Sequence, residues 1–328
     1  MEYDFISIGD IVVDAFIRIT DADEHVDVKT HLNELCFRFG DKVPYESVTV
    51  LNAVGNAPNG ATAAARLGLT TALVTNLGDD QQGKDCLAQL ASEGIGHDFV
   101  RVNAGAKTNY HYVLWHEVDR TILIKHEVYP VSMPEIGSPK WIYFSSVGAY
   151  ADKLHDLFAD YAEAHPEVKY TFQPGVFEIK LGTKRLARMY ARAELVVCNV
   201  EEAWRILETE EQDIKKLLAG MHALGPKIVL ITDGPKGAYA SDGTNAWFMP
   251  IYPDPKPPFE RTGAGDAFAS TFSAALANGE AIETALLWAP INSMSVVQEV
   301  GAQAGLLMQT QIQEWLQKAP SDYKPTLL

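Results

Sequence analysis

The chain has few cysteines, a deficit of positive charge and no long apolar run. Each shortage excludes a class of protein. Its three cysteines, Cys36, Cys86 and Cys198, are widely spaced and form no C-x-x-C. An odd, scattered set argues against a disulfide framework or a zinc site. His116–Glu117 and His126–Glu127 have no second histidine at metal spacing, so both pairs read as ordinary polar positions. Lysine and arginine number 27 against 43 aspartates and glutamates, a formal net charge of −16. That balance lacks the basic footprint of a nucleic-acid binder or a polybasic membrane surface. No stretch approaches the roughly 18 apolar residues that suggest a membrane helix. The opening MEYDFISIGDIVVD is acidic where a secretory leader is basic, and no small-residue cleavage site follows an apolar core. The expected compartment is the cytoplasm, with neither nucleic acid nor membrane as a partner.

The 328 residues are 47% apolar, enough to bury a core in one α/β domain with a small appendage. Six short runs read as strands that stop at turn residues: FISIGDIVVD, TALVTNLG, WIYFSSVG, KYTFQPG, ELVVCNV and KIVLITDG. Most are apolar at successive positions, as in strands buried on both faces. Helical patterns lie between them near 59–67, 82–93, 152–165, 183–192, 200–207 and 211–223, then at 264–278, 280–298 and 309–318. This alternation predicts βαβ units and a doubly wound, mostly parallel sheet flanked by helices. Residues 15–50 and 108–125 break the rhythm. FIRIT, ELCFRFGD, ESVTVLNAVG and TNYHYVLWHEVDRTILIK predict a small antiparallel β lid, with a polar turn at Glu117–Arg120. The α/β core is then 1–14, 51–107 and 126–328.

The strongest motif is RTGAGDAFASTFSAAL, 261–276. Its glycines let backbone N–H groups converge, and the helix that follows adds partial positive charge at its start. Such a concavity binds an anion, and a phosphoryl group in transfer is the candidate. Asp266 would stand beside it, placed to accept the proton of an attacking hydroxyl. An aspartate in a first helical turn also has a purely structural explanation, but G-A-G-D before Ala-Phe favours the chemical one. GDDQQGKD, 78–85, nearly spells a phosphate-binding P-loop. Asp85 replaces the hydroxyl residue that should hold magnesium, and Asp79 and Asp80 would repel phosphate, so this segment reads as a structural turn.

With VGNAPNGATAAARLG, 54–68, and RTGAGDAF, 261–268, the chain resembles the ribokinase-like (PfkB) family of carbohydrate kinases over nearly its whole length. The resemblance implies an α/β core with a β lid, ATP and Mg²⁺ as cofactors, and phosphoryl transfer to a hydroxyl of a small sugar. It implies Asp266 as catalytic base and Gly263, Ala264 and Gly265 as the anion hole. Asp14, Gly55, Asn56 and Asn59 match acceptor contacts and a lid hinge, although Val54-Gly55 stands where two glycines are usual. Asn59 also reads as a helix N-cap. Asn199 and Glu202 match an N-x-x-E motif that places magnesium and phosphate through water; the same pair is a capping box. Thr232, Gly234 and Gly237 match the nucleotide segment T-x-G-x-x-G, and Asn292 is carried over to the ATP site more loosely.

A D-x-N-x-R pattern near Gln173 is missing, which weakens fructose and keto-deoxy-gluconate as acceptors. The acceptor stays open between a free pentose or hexose and a ribonucleoside, since Phe37, Phe39, Tyr110, Tyr112 and Trp115 would suit either lid packing or base stacking. A non-catalytic sensor on the same fold is the third reading, and the presence of Asp266 opposes it. A homodimer through the lid is the expected assembly. Many members carry Asp-Thr ahead of the second motif, where the aspartate helps hold a monovalent cation. Glu260-Arg261 stands there instead, which leads us to expect weak dependence on potassium, with Arg261 supplying the charge.

Overall fold

The computed structural model describes residues 2–19, 26–29, 34–116 and 119–328. Ten strands form the main sheet. Seven of them run parallel, in the spatial order Ile228–Thr232, Leu195–Asn199, Lys169–Phe172, Trp141–Phe144, Phe5–Ile8, Thr71–Gly78 and Val100–Asn103. Their side chains divide between two layers by alternation. Ile6, Ile8, Ile142 and Phe144 enter one core, while Phe5, Trp141 and Tyr143 enter the other. Burial on both faces explains why these runs are continuously apolar. Three short antiparallel strands, Ala238–Ser241, Ala246–Met249 and Thr326–Leu327, extend one edge. At four, four and two residues they left no periodic signal in the sequence.

The first apolar run is two strands rather than one. Phe5–Ile8 belongs to the main sheet and Val12–Ile19 to the lid. The break comes at Gly9, where a Cβ would lie 2.6 Å from Ser145 Oγ and 2.8 Å from Ala57 Cβ. The lid sheet runs Ser47–Val54, Val12–Ile19, Tyr110–His116, Asp119–Leu123. It is mixed and not antiparallel throughout, because Val12–Ile19 pairs parallel with Tyr110–His116. The predicted turn at Glu117–Arg120 begins on two residues outside the described ones. A two-stranded ribbon, Val26–Lys29 with Glu34–Phe37, forms a separate sheet.

Of the predicted helices, 183–192 changes most. The chain turns helical at Val176–Arg185, a segment broken inside by Gly182 at φ +82°, and again at Ala187–Arg192. The start was hidden because Gly175 precedes it, and a glycine can offer no side-chain cap. Asp80 caps Gln81–Ser92 by accepting from Gly83 N–H at 3.0 Å, and it also accepts from Thr108 Oγ1 at 2.6 Å. Asp79 accepts from Gly105 N–H at 2.9 Å. The P-loop lookalike is thus a turn braced by its own carboxylates.

Candidate active site

Asp266 lies in the first turn of the helix Ala264–Ala277, whose N-cap Gly263 has φ +81° and no side chain to cap it. A Cβ on Gly263 would stand 2.3 Å from Ala302 Cβ, so the turn requires glycine. A Cβ on Gly265 would meet no atom within 4 Å. Packing therefore does not demand glycine at 265, which borders the cavity. First-turn N–H groups have no intrahelical acceptor and are oriented for an anion.

Three amides surround the Asp266 carboxylate. Asn56 Nδ2 donates to Oδ1 at 2.9 Å, Asn59 Nδ2 to Oδ2 at 3.0 Å and Gln173 Nε2 to Oδ1 at 3.3 Å. Tyr143 in turn donates its hydroxyl to Gln173 Oε1. Burial pushes the Asp266 carboxyl above its ordinary range, opposed by the Asn59 and Gln173 amides and by the charge of Arg120. Asn59 is not an N-cap. The helix Asn56–Arg66 starts three residues earlier, behind Gly55, so Asn59 sits one turn in and is buried. Gly55 has φ +115°, and a Cβ there would lie 2.9 Å from Asp10 O.

These residues open onto a cavity of about 490 Å³ lined by Asp14, Gly55, Asn56, Asn59, Asn199, Glu202, Thr232, Gly263, Gly265 and Asp266. Its lid wall follows from strand register. Parallel pairing sets Asp14 beside His111, and His111 Nδ1 stands 3.4 Å from Asp14 Oδ1. A bulge between Val12 and Asp14 turns this stretch against its antiparallel neighbour. Asp10, at the strand break, accepts from Gly148 N–H at 2.6 Å and from Tyr150 OH at 3.1 Å. His126 Nδ1 is 2.9 Å from Asp10 Oδ2, yet off the hydrogen-bonding direction, and it has no hydrogen-bond partner. Asp14 Oδ1 and His111 Nε2 likewise have none. Water or a polar ligand in the cavity would satisfy these atoms.

Sequence reasoning overlooked Asp10, His111 and His126, and took His126 for an ordinary polar position. The signal was faint, since His111 meets Asp14 only through pairing of strands distant in sequence. Lid aromatics fare otherwise: none of Phe37, Phe39, Tyr110, Tyr112 and Trp115 lines either cavity described here. Trp115 is buried against Phe259, with Arg18 stacked over it.

A second cavity, about 260 Å³, adjoins the first through Thr232, Arg261 and Gly265. Gly234, Gly237, Ala264, Ile251, Tyr252 and Phe268 line it together with Pro290, Ser293, Met294 and Val297. The last four recur at i, i+3, i+4 and i+7, which is one helix face. Asn292 falls off that face. It is fully buried, donates to Thr271 Oγ1 at 2.7 Å and accepts from Leu307 N–H at 2.8 Å. Asn292 therefore does not line this cavity and instead ties its helix to Thr271 and to the backbone at Leu307.

Asn199 and Glu202 form the capping box and also border the larger cavity. Asn199 Oδ1 accepts from Glu202 N–H at 2.8 Å, and Glu202 Oε2 accepts from Asn199 N–H at 2.9 Å, while both residues line the larger cavity. Burial raises the Glu202 carboxyl, and the nearby Asp266 charge adds to the rise. Glu260 is fully buried and turned inward, accepting from Thr262 N–H at 2.6 Å, from the Thr262 hydroxyl, and from Gly301 N–H at 3.4 Å. The guanidinium seen beside it belongs to Arg120 of the lid, with Nε at 4.0 Å. Arg261 is exposed on the rim of both cavities.

The pfkB family carbohydrate kinase profile matches residues 25–309. Ribokinase of Bacillus subtilis is 26% identical over 291 residues, covering 84% of this chain and 94% of that protein. Cytidine kinase of Thermococcus kodakarensis is 29% identical over 235 residues, covering 70% and 82%. The structure of Arabidopsis thaliana ribokinase complexed with ribose and ATP superposes with a TM-score of 0.78 at 21% identity, over 96% of this chain and 99% of that one. An uncapped helix start beside a partly buried carboxylate, on a ribokinase-like sheet with a small second sheet, agrees with the profile match: the chain belongs to the pfkB family of carbohydrate kinases and is a phosphotransferase acting on a sugar hydroxyl.

Proposed function

We propose that this kinase transfers the γ-phosphoryl group of ATP to a hydroxyl of a free pentose or hexose. The observation that carries this reading is Asp266, held by three amides at an uncapped helix start, facing a wall of Asp10, Asp14, His111 and His126 across the larger cavity. Carboxylates and imidazoles with unfilled hydrogen-bonding capacity suit a polyol. Asp266 takes the proton of the attacking hydroxyl. That oxygen bonds to phosphorus while the bond to the β–γ bridging oxygen breaks, and ADP leaves. N–H groups at Gly263, Ala264 and Gly265 carry the developing charge.

Asp14 and Gly55 border the acceptor, and Asn56 and Asn59 act there by holding Asp266. Thr232, Gly234 and Gly237 border the nucleotide, whose base suits the apolar slot, with Asn199 nearer the phosphates. Among the described residues no cluster of three or more metal-ligating side chains occurs. Glu202 is the residue that would hold Mg²⁺, through water, and a carboxylate oxygen donor fits such a hard ion. When bound, Mg²⁺ offsets phosphate charge.

Ile122, Ile124 and Phe177 also line the larger cavity and provide apolar surface for a base, which favours a ribonucleoside as the second reading. ATP consumption over a panel of sugars and nucleosides decides between them. Efficiency about tenfold higher on nucleosides than on any sugar would replace the first reading. We read 15–50 and 108–125 as a lid that closes over the acceptor and limits water. Hydrogen exchange in the lid should slow with acceptor plus a non-hydrolysable ATP analogue; no change would count against closure. The lid's outer face exposes Val48, Val50, Tyr112 and Leu123, a surface suited to a homodimer. No helix among the described residues is long and apolar enough to cross a membrane, and a cytoplasmic location is the reading we favour.

A further inference from the structure

One backbone carbonyl sets the orientation of two side-chain amides in series, and the second of them faces Asp266. Gln303 Nε2 donates to Ala53 O at 2.8 Å and to Asn59 Oδ1 at 2.9 Å. A backbone carbonyl only accepts, so the group that Gln303 turns toward it is the NH₂. The Asn59 atom facing that NH₂ must be its oxygen. Asn59 Nδ2 is thereby left to donate to Asp266 Oδ2 at 3.0 Å. Gln303 and Asn59 are 8% and 3% exposed, so water competes little for these bonds.

Both ends of the relay are anchored. Ala53 lies at the end of the lid strand Ser47–Val54, is held at φ +56°, and donates its N–H to Cys86 Sγ at 3.3 Å. Gln303 O accepts from Arg66 Nη1 at 2.8 Å, and Arg66 is paired with Glu93 at 2.7 Å. The residue preceding Gln303, Ala302, packs against Gly263.

We propose that Gln303 is a positioning residue for phosphoryl transfer. It holds Asn59 in the one amide orientation that donates to Asp266 and ties that orientation to the strand by which the lid enters the core. This rests on Asp266 being the base. Gln303→Glu keeps the shape but cannot donate when ionised. Its carboxylate draws the Asn59 NH₂ toward itself and turns Asn59 Oδ1 onto Asp266. Gln303→Met removes the donor without reversing the pull.

The test is the pH profile of kcat for wild type, Gln303→Met, Gln303→Glu and Asp266→Asn, with thermal melting of each. The expected fall in kcat for Gln303→Glu is about 10- to 100-fold, the worth of one hydrogen bond to a charged group, and smaller for Gln303→Met. The acid limb should move to higher pH in the same order, because losing a donor raises a carboxylate pKa. KM for ATP should stay at the wild-type value. A merely structural role would lower the melting temperature and leave the acid limb in place. If Asp266→Asn is inactive while both Gln303 variants keep the wild-type acid limb, the positioning role is overturned and the base stands. If Asp266→Asn retains turnover, the reading of Asp266 fails instead. Should Gln303→Glu not fold, an unmoved acid limb in Gln303→Met overturns the proposal equally.

Discussion

Asn56 Nδ2 donates to Asp266 Oδ1 at 2.9 Å although 210 residues separate them in the chain. Two helix starts, Asn56–Arg66 and Ala264–Ala277, are thereby brought to one carboxylate. Asp266→Asn should keep the fold and ATP binding while turnover falls about 10²–10⁴-fold, the scale of a positioned acid–base group. Retention of more than about a tenth of wild-type turnover would remove Asp266 from the role.

The pH dependence has a definite sign. Burial raises the Asp266 pKa, so the fold favours the protonated acid. The associated stability is complete below the ordinary carboxylate range and is lost as pH rises through the raised value. If Asp266 is the base, as proposed, catalysis needs the ionised form that the site destabilises, which makes it a stronger base. The acid limb of kcat should therefore lie above the range of a solvent-exposed aspartate. A limb at or below that range would contradict this environment.

Asp14 and Asp10 face the cavity from the lid strand and from the strand break. Asp14→Ala should raise the apparent KM for the acceptor far more than that for ATP. Asp10→Ala should behave similarly but also lower thermal stability, because Asp10 accepts from Gly148 N–H and Tyr150 OH. Equal effects of Asp14→Ala on both KM values would take Asp14 out of the acceptor site.

On the proposed reading Glu202 has a chemical duty beside its observed capping bond, and substitutions can separate the two. Glu202→Gln still offers an oxygen to Asn199 N–H, so melting should change little while the Mg²⁺ concentration for half-maximal rate rises. Glu202→Ala should lose the cap as well, about 1 kcal/mol. Because its pKa is raised, protons should compete with Mg²⁺ at higher pH than at an exposed glutamate. An unchanged Mg²⁺ requirement in Glu202→Gln would leave only the cap.

The buried Glu260 carboxylate is met by Thr262, Gly301 and the lid guanidinium of Arg120. Weak dependence on potassium remains the expectation, but the responsible charge is now Arg120. Turnover in potassium and in tetramethylammonium at matched ionic strength should agree for wild type and for Arg261→Ala. Potassium activation should emerge in Arg120→Ala. Strong activation of the wild type would defeat the idea.

The sequence by itself determined the main architecture and the identity of the candidate base. Parallel strands buried on both faces must be apolar at successive positions, so Trp141–Phe144 and Ile228–Thr232 were visible without a structure. Gly263 and Asp266 were visible because a glycine-rich helix start carries its chemistry within six residues of chain. What only the tertiary structure decided depends on contacts between distant segments. Asp14 meets His111 through the register of a parallel strand pair, and Asn292 turns away from the second cavity by the phase of one helix. The lid guanidinium beside Glu260 and the Gln303 amide above Asn59 likewise come from segments far away in the chain, a lid strand and a loop. Local propensity and periodicity reach a few residues, whereas register, helix phase and amide orientation are set by packing between elements, and no short stretch of sequence encodes those.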